Sequence, residues 1–174
     1  MKAFFRPTTR ANVFMSYVLA LLKPRHRITH DDLQRWQEAS FASYMQQGKD
    51  AEVLKRIIEK TDWKISENQP PPNVWFGEAK FDGRQTPRII LYQDTATTRL
   101  FTRSMFEHAS QAGIDHVFGH LYAFHSGNPD YGEEMAYRLQ YAVAKKRSGF
   151  YWKLIARGMP LFYRVHKDIS LKQI

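Results

Sequence analysis

His116 and His120 stand four residues apart in the stretch "DHVFGHLY", residues 115–122. On a helix, positions i and i+4 share a face, so both imidazoles project in the same direction. Zinc uses this pair of imidazoles in His-Glu-x-x-His sites, where a third ligand arrives from another element. The chain contains no cysteine, which excludes disulfides and thiolate sites. A transition metal must therefore sit on imidazole nitrogen and carboxylate oxygen. Glu133 and Glu134 follow the turn signal "SGNPDYG", residues 126–132. That turn lets a second helix fold back, and Glu133 in its first turn can point a carboxylate at the metal. The expected ligands are His116, His120 and Glu133.

Two alternatives stay open. Glu134 could replace Glu133 as the third ligand. His125 could complete a site of three histidines, although nine residues at about 100° each place it roughly opposite His116 on a continuous helix. His125 also stands just before Gly127, where a histidine simply favours the helix C-terminal dipole. The two glutamates equally complement the N-terminus of their own helix, and histidines at this spacing also occur as hydrogen-bonded core residues. The residue after the first histidine is Val117. Valine neither accepts a proton nor holds a water, and a general base typically contributes about 10²–10⁴-fold to a rate. A replacement base or a catalytic assist would come from Glu134, His125, Tyr122 or Tyr137, which spacing does not rank.

The stretch "HVFGHLYAFHSGNPDYGEEMAYRLQYA", residues 116–142, resembles the core of the gluzincin zinc metallopeptidases. That superfamily carries His-Glu-x-x-His on one helix and Glu-x-x-Ala or Glu-x-x-x-Asp on the next. Here Glu133-Glu134-Met135-Ala136 supplies Glu-x-x-Ala, and Gly119 before the second histidine is also common in the superfamily. Upstream, "FGEAKFDGRQTPRIILYQ", residues 76–93, resembles the strand pair that precedes the zinc helix and lines the substrate cleft. The resemblance covers roughly residues 73–145, and the first 70 residues carry none. It implies a zinc cofactor on His116, His120 and Glu133, and metal-dependent hydrolysis of an unspecified substrate. In the family, the residue after the first histidine is the glutamate that activates water. Val117 departs from that pattern, so the resemblance implies either a hydrolase with another base or a catalytically impaired relative without ordinary peptidase activity.

These residues need elements to hold them. A chain of 174 residues, 43% hydrophobic and 14% aromatic, is long enough for one domain with a real core. Val13, Phe14, Tyr17, Val18, Leu21 and Leu22 share a helical face that Pro24 stops. Thr29 and Asp32 resemble a capping box with the acid shortened from glutamate, starting a helix that carries Leu33, Trp36, Phe41 and Tyr44 and ends at Gly48. Val53, Leu54, Ile57 and Ile58 mark a third short helix, and "NQPPP", 68–72, is a stiff break. "NVWFGEAKF" and "RIILYQ", separated by "DGRQTP", predict a β-hairpin. "TTRLFTRSMFEHASQAG", 97–113, predicts a helix ending at Gly113, with the motif helix directly after it and a further helix from about 131 to Gly149. A short helix interrupted by Gly158-Met159-Pro160 follows. The expected architecture is α+β: a mostly helical single domain with a β-hairpin before a two-helix metal core. Its parts are a helical N-terminal part (1–67), a zincin-like core (73–149) and a basic aromatic C-terminal segment (150–174).

The net charge of +9 is segregated. Residues 1–27 carry six Lys/Arg and no acid, and residues 145–174 carry eight Lys/Arg against Asp168 alone. A segregated positive surface attracts polyanions or acidic lipid headgroups. Lys145, Lys146 and Arg147 are the candidate polyanion contacts, and "KKRSGFYWKLIARG", 145–158, mixes cations with aromatics in a way that suits a nucleic acid backbone and its bases. The second functional reading is therefore a basic module that binds nucleic acid or an acidic partner, with structural histidines. The longest apolar run lies at 13–22, shorter than the roughly 18 residues of a spanning helix, so no membrane span is expected. With no cysteine and no signal-peptide pattern, a cytoplasmic location is expected.

Overall fold

The structure is a computed structural model, and it describes residues 26–70, 76–81, 86–128 and 132–158. The helical face expected over 13–22, the prolines at 71–72, most of the hairpin turn and the tail beyond 158 lie outside the described residues.

Helix α1, His30–Met45, starts where the sequence signal stands. The Thr29 hydroxyl accepts from the Asp32 amide at 3.0 Å, and the Asp32 carboxylate accepts from the Thr29 amide at 3.1 Å. Aspartate therefore closes the box that glutamate usually closes. Leu33, Trp36 and Tyr44 are buried on its inner face. Gly48, at φ +71°, adopts the left-handed conformation that follows the helix end. Helix α2, Ala51–Glu59, is capped by the Asp50 carboxylate and buries Val53, Leu54 and Ile57, whereas Ile58 faces solvent at 38% exposure.

Three strands form one small sheet in the order β1-β3-β2: β1 Asp62–Ser66, β2 Gly77–Lys80 and β3 Arg88–Tyr92. The expected hairpin is the antiparallel β2–β3 pair. β1, which pairs parallel to β3, lies inside the part of the chain read as helical (1–67). Its five residues, Asp-Trp-Lys-Ile-Ser, give almost no periodicity, and its partner is 26 residues away, from Asp62 to Arg88. Nothing local marks such a strand.

The next stretch corrects the expected helix over 97–113. A short helix α3, Ala96–Leu100, is followed by extended Phe101, and the Thr102 hydroxyl caps a new helix, α4, Arg103–His125. Helix α4 runs straight through Gly113. Glycine stands there because the Phe76 ring lies on the helix: a β-carbon at 113 would be 2.7 Å from Phe76 Cδ1. The residue makes room for a close contact and does not stop the helix. Helix α5, Glu133–Lys146, folds back along α4. Gly149, at φ +111°, leads into a further helical segment, α6, over 150–158.

The result is an α+β domain, mostly helical, with α4 at its centre. Helices α1, α2 and α5 pack around α4, and the sheet lies against it through Trp63 beside Phe118 and Phe76 on Gly113. Trp36, Tyr44, Ile89, Leu91, Phe106 and Phe118 are almost completely buried where these elements meet. Among the described residues no helix is long and apolar enough to cross a membrane.

One polar cluster sits inside this core. Asp115, on α4, is fully buried and accepts hydrogen bonds from Ser40 at 2.7 Å and from the Arg147 guanidinium at 2.9 Å. Burial pushes its carboxyl up to about 6, against the opposing pull of Arg147, Ser40 and Gln111. Arg147 also donates to Ser43 on α1 and stacks on Trp152, 4.3 Å from the ring centre. A guanidinium with five fixed donors can tie α1, α4 and α6 together in this way.

Candidate metal centre

His116 and His120 lie one turn apart on α4, with their Nε2 atoms 3.1 Å from each other and their rings nearly perpendicular. Glu133, the first residue of α5, closes the group. One of its carboxylate oxygens is 3.1 Å from His116 Nε2, and the other is 3.6 Å from His120 Nε2. One ligand atom from each residue lies within 4.8 Å of the others, a grouping able to hold a metal ion. His120 is buried, His116 is 20% exposed and Glu133 is 53% exposed in their side chains, so the group opens to solvent on the Glu133 side. Burial alone would raise the Glu133 carboxyl. Hydrogen bonds and charge from His116 and His120 outweigh it and hold the carboxyl well below the ordinary carboxylate range.

What brings Glu133 to the histidines is the approach of two backbones. Gly119 faces Ala136, and a β-carbon on Gly119 would stand 2.8 Å from the Ala136 Cα and 3.0 Å from its carbonyl oxygen. Only glycine fits that contact, and a small residue is needed opposite it. Ala136 lies three residues beyond Glu133, nearly one helical turn. The close contact therefore sets the height at which the carboxylate meets the imidazoles. The alanine of Glu-x-x-Ala and the glycine before His120 have a shared steric role.

Gln140 was not among the residues that spacing singled out, yet it meets His116. Its side-chain Nε2 donates to the Ala112 carbonyl at 2.7 Å, which leaves Oε1 facing His116 Nδ1 at 3.2 Å. Reversing the amide would set two acceptors against each other at Ala112, so His116 Nδ1 must be the donor. Its Nε2 then faces His120 Nε2 and the carboxylate. His116 Nε2 is then an acceptor beside the carboxylate, and the contact is satisfied either by a hydrogen on His120 Nε2 or by a metal ion among the three groups. The signal for Gln140 was present in the sequence as a polar residue seven positions after Glu133, on the face that also buries Ala136 and Val143.

The remaining candidates separate. Tyr137 stays at the site, with its ring centre 4.5 Å from that of His116. Tyr122 points elsewhere: its hydroxyl accepts from the Asp50 amide at 3.2 Å and its ring lies near Tyr44 and Lys49. Glu134 pairs with Arg138 on the outer side of α5. His125 does not join His116 and His120; the group able to hold a metal contains Glu133 in its place. Burial, with the Arg56 guanidinium nearby, lowers the His125 imidazole below its ordinary value. Val117 is partly buried and packs against the main core cluster, so it serves the fold as an apolar side chain.

The three adjacent cations at the end of α5 do not form one patch. Lys145 and Lys146 are exposed, Lys145 over the Tyr141 ring and Lys146 donating to the Gln46 carbonyl at 3.2 Å. Arg147 is turned inward to Asp115 and is only 15% exposed in its side chain. Its reading as a polyanion contact is corrected, because a buried carboxylate holds it.

Compared with protein-family models, with curated proteins and with solved structures, the chain matches none.

Proposed function

We propose that this protein binds one zinc ion through His116, His120 and Glu133, with the gluzincin arrangement of ligands and without ordinary peptidase activity. The observation that carries the reading is the convergence of two imidazole nitrogens and one carboxylate from two helices within 4.8 Å. Nitrogen and oxygen donors of this kind suit zinc, and three protein ligands leave a fourth position for water or substrate. Zinc held there would supply Lewis acidity at that open position. The residues around it have separate tasks: Gln140 sets the orientation of His116, Gly119 and Ala136 set the depth of Glu133, and the phenol of Tyr137 lies beside the first ligand. With valine at 117, Glu134 held by Arg138 and His125 outside the group, the described residues offer no glutamate in the place of the usual base.

Peptide hydrolysis tests the catalytic half of the proposal. The zinc-loaded chain should leave generic peptides uncleaved, with or without chelator. Chelator-sensitive cleavage by the native sequence would overturn it. X-ray absorption at the zinc edge tests the ligand half, with an expected shell of nitrogen and oxygen at about 2.0–2.2 Å. A shell without imidazole scattering would place the metal elsewhere.

A further inference from the structure

Helix α6 turns two faces outward and inward, and both carry apolar side chains. The inner one is ordinary: Trp152 is buried with Ala112 and Ala144, and Ile155 and Ala156 pack alongside. The outer one is formed by Phe150, Lys153, Leu154 and Arg157, which recur at the i, i+3, i+4, i+7 spacing of a single helical stripe. All four are exposed, Phe150 at 74% and Leu154 at 57%. One exposed apolar residue needs no explanation. Two large ones on adjacent turns, flanked by two cations on the same stripe, leave apolar surface in water.

Charge selects the partner. Residues 145–158 hold five Lys/Arg and no Asp or Glu, and the inward-facing Arg147 is the one of these committed to a buried acid. A protein partner would have to match the cations with carboxylates and also supply an apolar pocket shaped for Phe150 and Leu154, whereas a fluid bilayer needs no such fitted pocket. A nucleic acid backbone would stack Phe150 at best, and it has no apolar surface for Leu154. An anionic bilayer meets both requirements, since its headgroups attract Lys and Arg while its acyl boundary takes apolar side chains.

We propose that the outer stripe of α6 is a docking surface for anionic lipid bilayers, with Phe150 and Leu154 entering the acyl boundary and Lys153 and Arg157 meeting the headgroups. The packing of Trp152 against Ala112 and Ala144 holds this stripe on the domain, beside α4 and α5. Docking there is independent of the metal ligands, which lie on other residues of those two helices.

The test is co-sedimentation of the full chain with vesicles of phosphatidylcholine alone and of phosphatidylcholine with phosphatidylserine. The native chain should bind only the second kind, and less as salt rises. Phe150→Ser with Leu154→Ser should lower the partition at least tenfold although no charge changes, and Lys153→Ser or Arg157→Ser should each lower it about fivefold. A positive signal guards against simple misfolding. The chain has no cysteine, so Phe150→Cys can carry a single environment-sensitive fluorophore, whose emission should shift to the blue on phosphatidylserine vesicles. Unchanged sedimentation of the Phe150/Leu154 double variant, no blue shift, or retention of a single-stranded oligonucleotide in place of vesicles would each overturn the proposal.

Discussion

Gly119 and Ala136 touch backbone to backbone: the position of a β-carbon on Gly119 is 2.8 Å from the Ala136 Cα. This contact joins the helix of the two histidines to the helix of the glutamate. It predicts a specific failure. Gly119→Ala gains about 1 kcal/mol of helix propensity and forces the helices apart, which costs about 1–3 kcal/mol as overpacking against backbone that cannot rotate away. The expected outcome is a lower melting temperature together with at least a tenfold loss of zinc affinity, because Glu133 withdraws from the imidazoles. Wild-type affinity in the alanine variant, read by competition with a chromophoric chelator, would show that the contact does not position Glu133.

Gln140 holds His116 by its Nδ1. Residues that orient metal-bound histidines typically contribute about 10–100-fold to metal affinity. Gln140→Leu should therefore weaken zinc binding by that factor while the fold, monitored by circular dichroism, persists. Nitrogen NMR of the zinc-loaded native chain should show His116 protonated on Nδ1. A signal from protonated Nε2 would contradict the assignment of the amide.

Proton and metal compete for the same imidazole lone pairs. Zinc affinity should fall as pH is lowered, and the loss should follow the histidines and not the glutamate, because the Glu133 carboxyl stays ionised well below the ordinary carboxylate range. Titrations at several pH values check this. Glu133→Gln should weaken binding more than Glu134→Gln, since Glu134 is engaged with Arg138. The reverse order would move the third ligand by one residue.

Arg147 neutralises Asp115 inside the protein. Removing one member of a buried ion pair typically costs about 3–5 kcal/mol, whereas replacing both costs far less. Arg147→Met should lose stability on that scale in urea unfolding, and adding Asp115→Asn should restore part of it. Equal stability of Arg147→Met and the native chain would show that Arg147 serves the surface after all.

Which of these relationships the sequence reveals depends on how far apart the partners are. His116 and His120 are four residues apart on one helix, so their shared face follows from helix geometry alone. Glu133 follows from a turn and a change of helix. The β2–β3 pair is marked by alternation and an Asp-Gly turn, and it is where the hairpin was expected. Asp115 and Arg147 are 32 residues apart, and neither residue type announces that it will be buried. Lysine and arginine read alike as surface charge in "KKR", and only the packing of α1 and α4 against the end of α5 separates Arg147 from its neighbours. Gly113 was legible as special and not legible in kind, because glycine serves both as a helix stop and as room for a ring, and the ring of Phe76 comes from another element.

The central claim is that His116, His120 and Glu133 hold one zinc ion. The most direct measurement is the elemental zinc content of the purified 174-residue chain, made side by side with His116→Ala and His120→Ala. The account predicts about one zinc per native chain and none in either variant, with all three proteins folded by circular dichroism. A native chain that stays free of metal after zinc loading and desalting, or full zinc occupancy in both alanine variants, would contradict it.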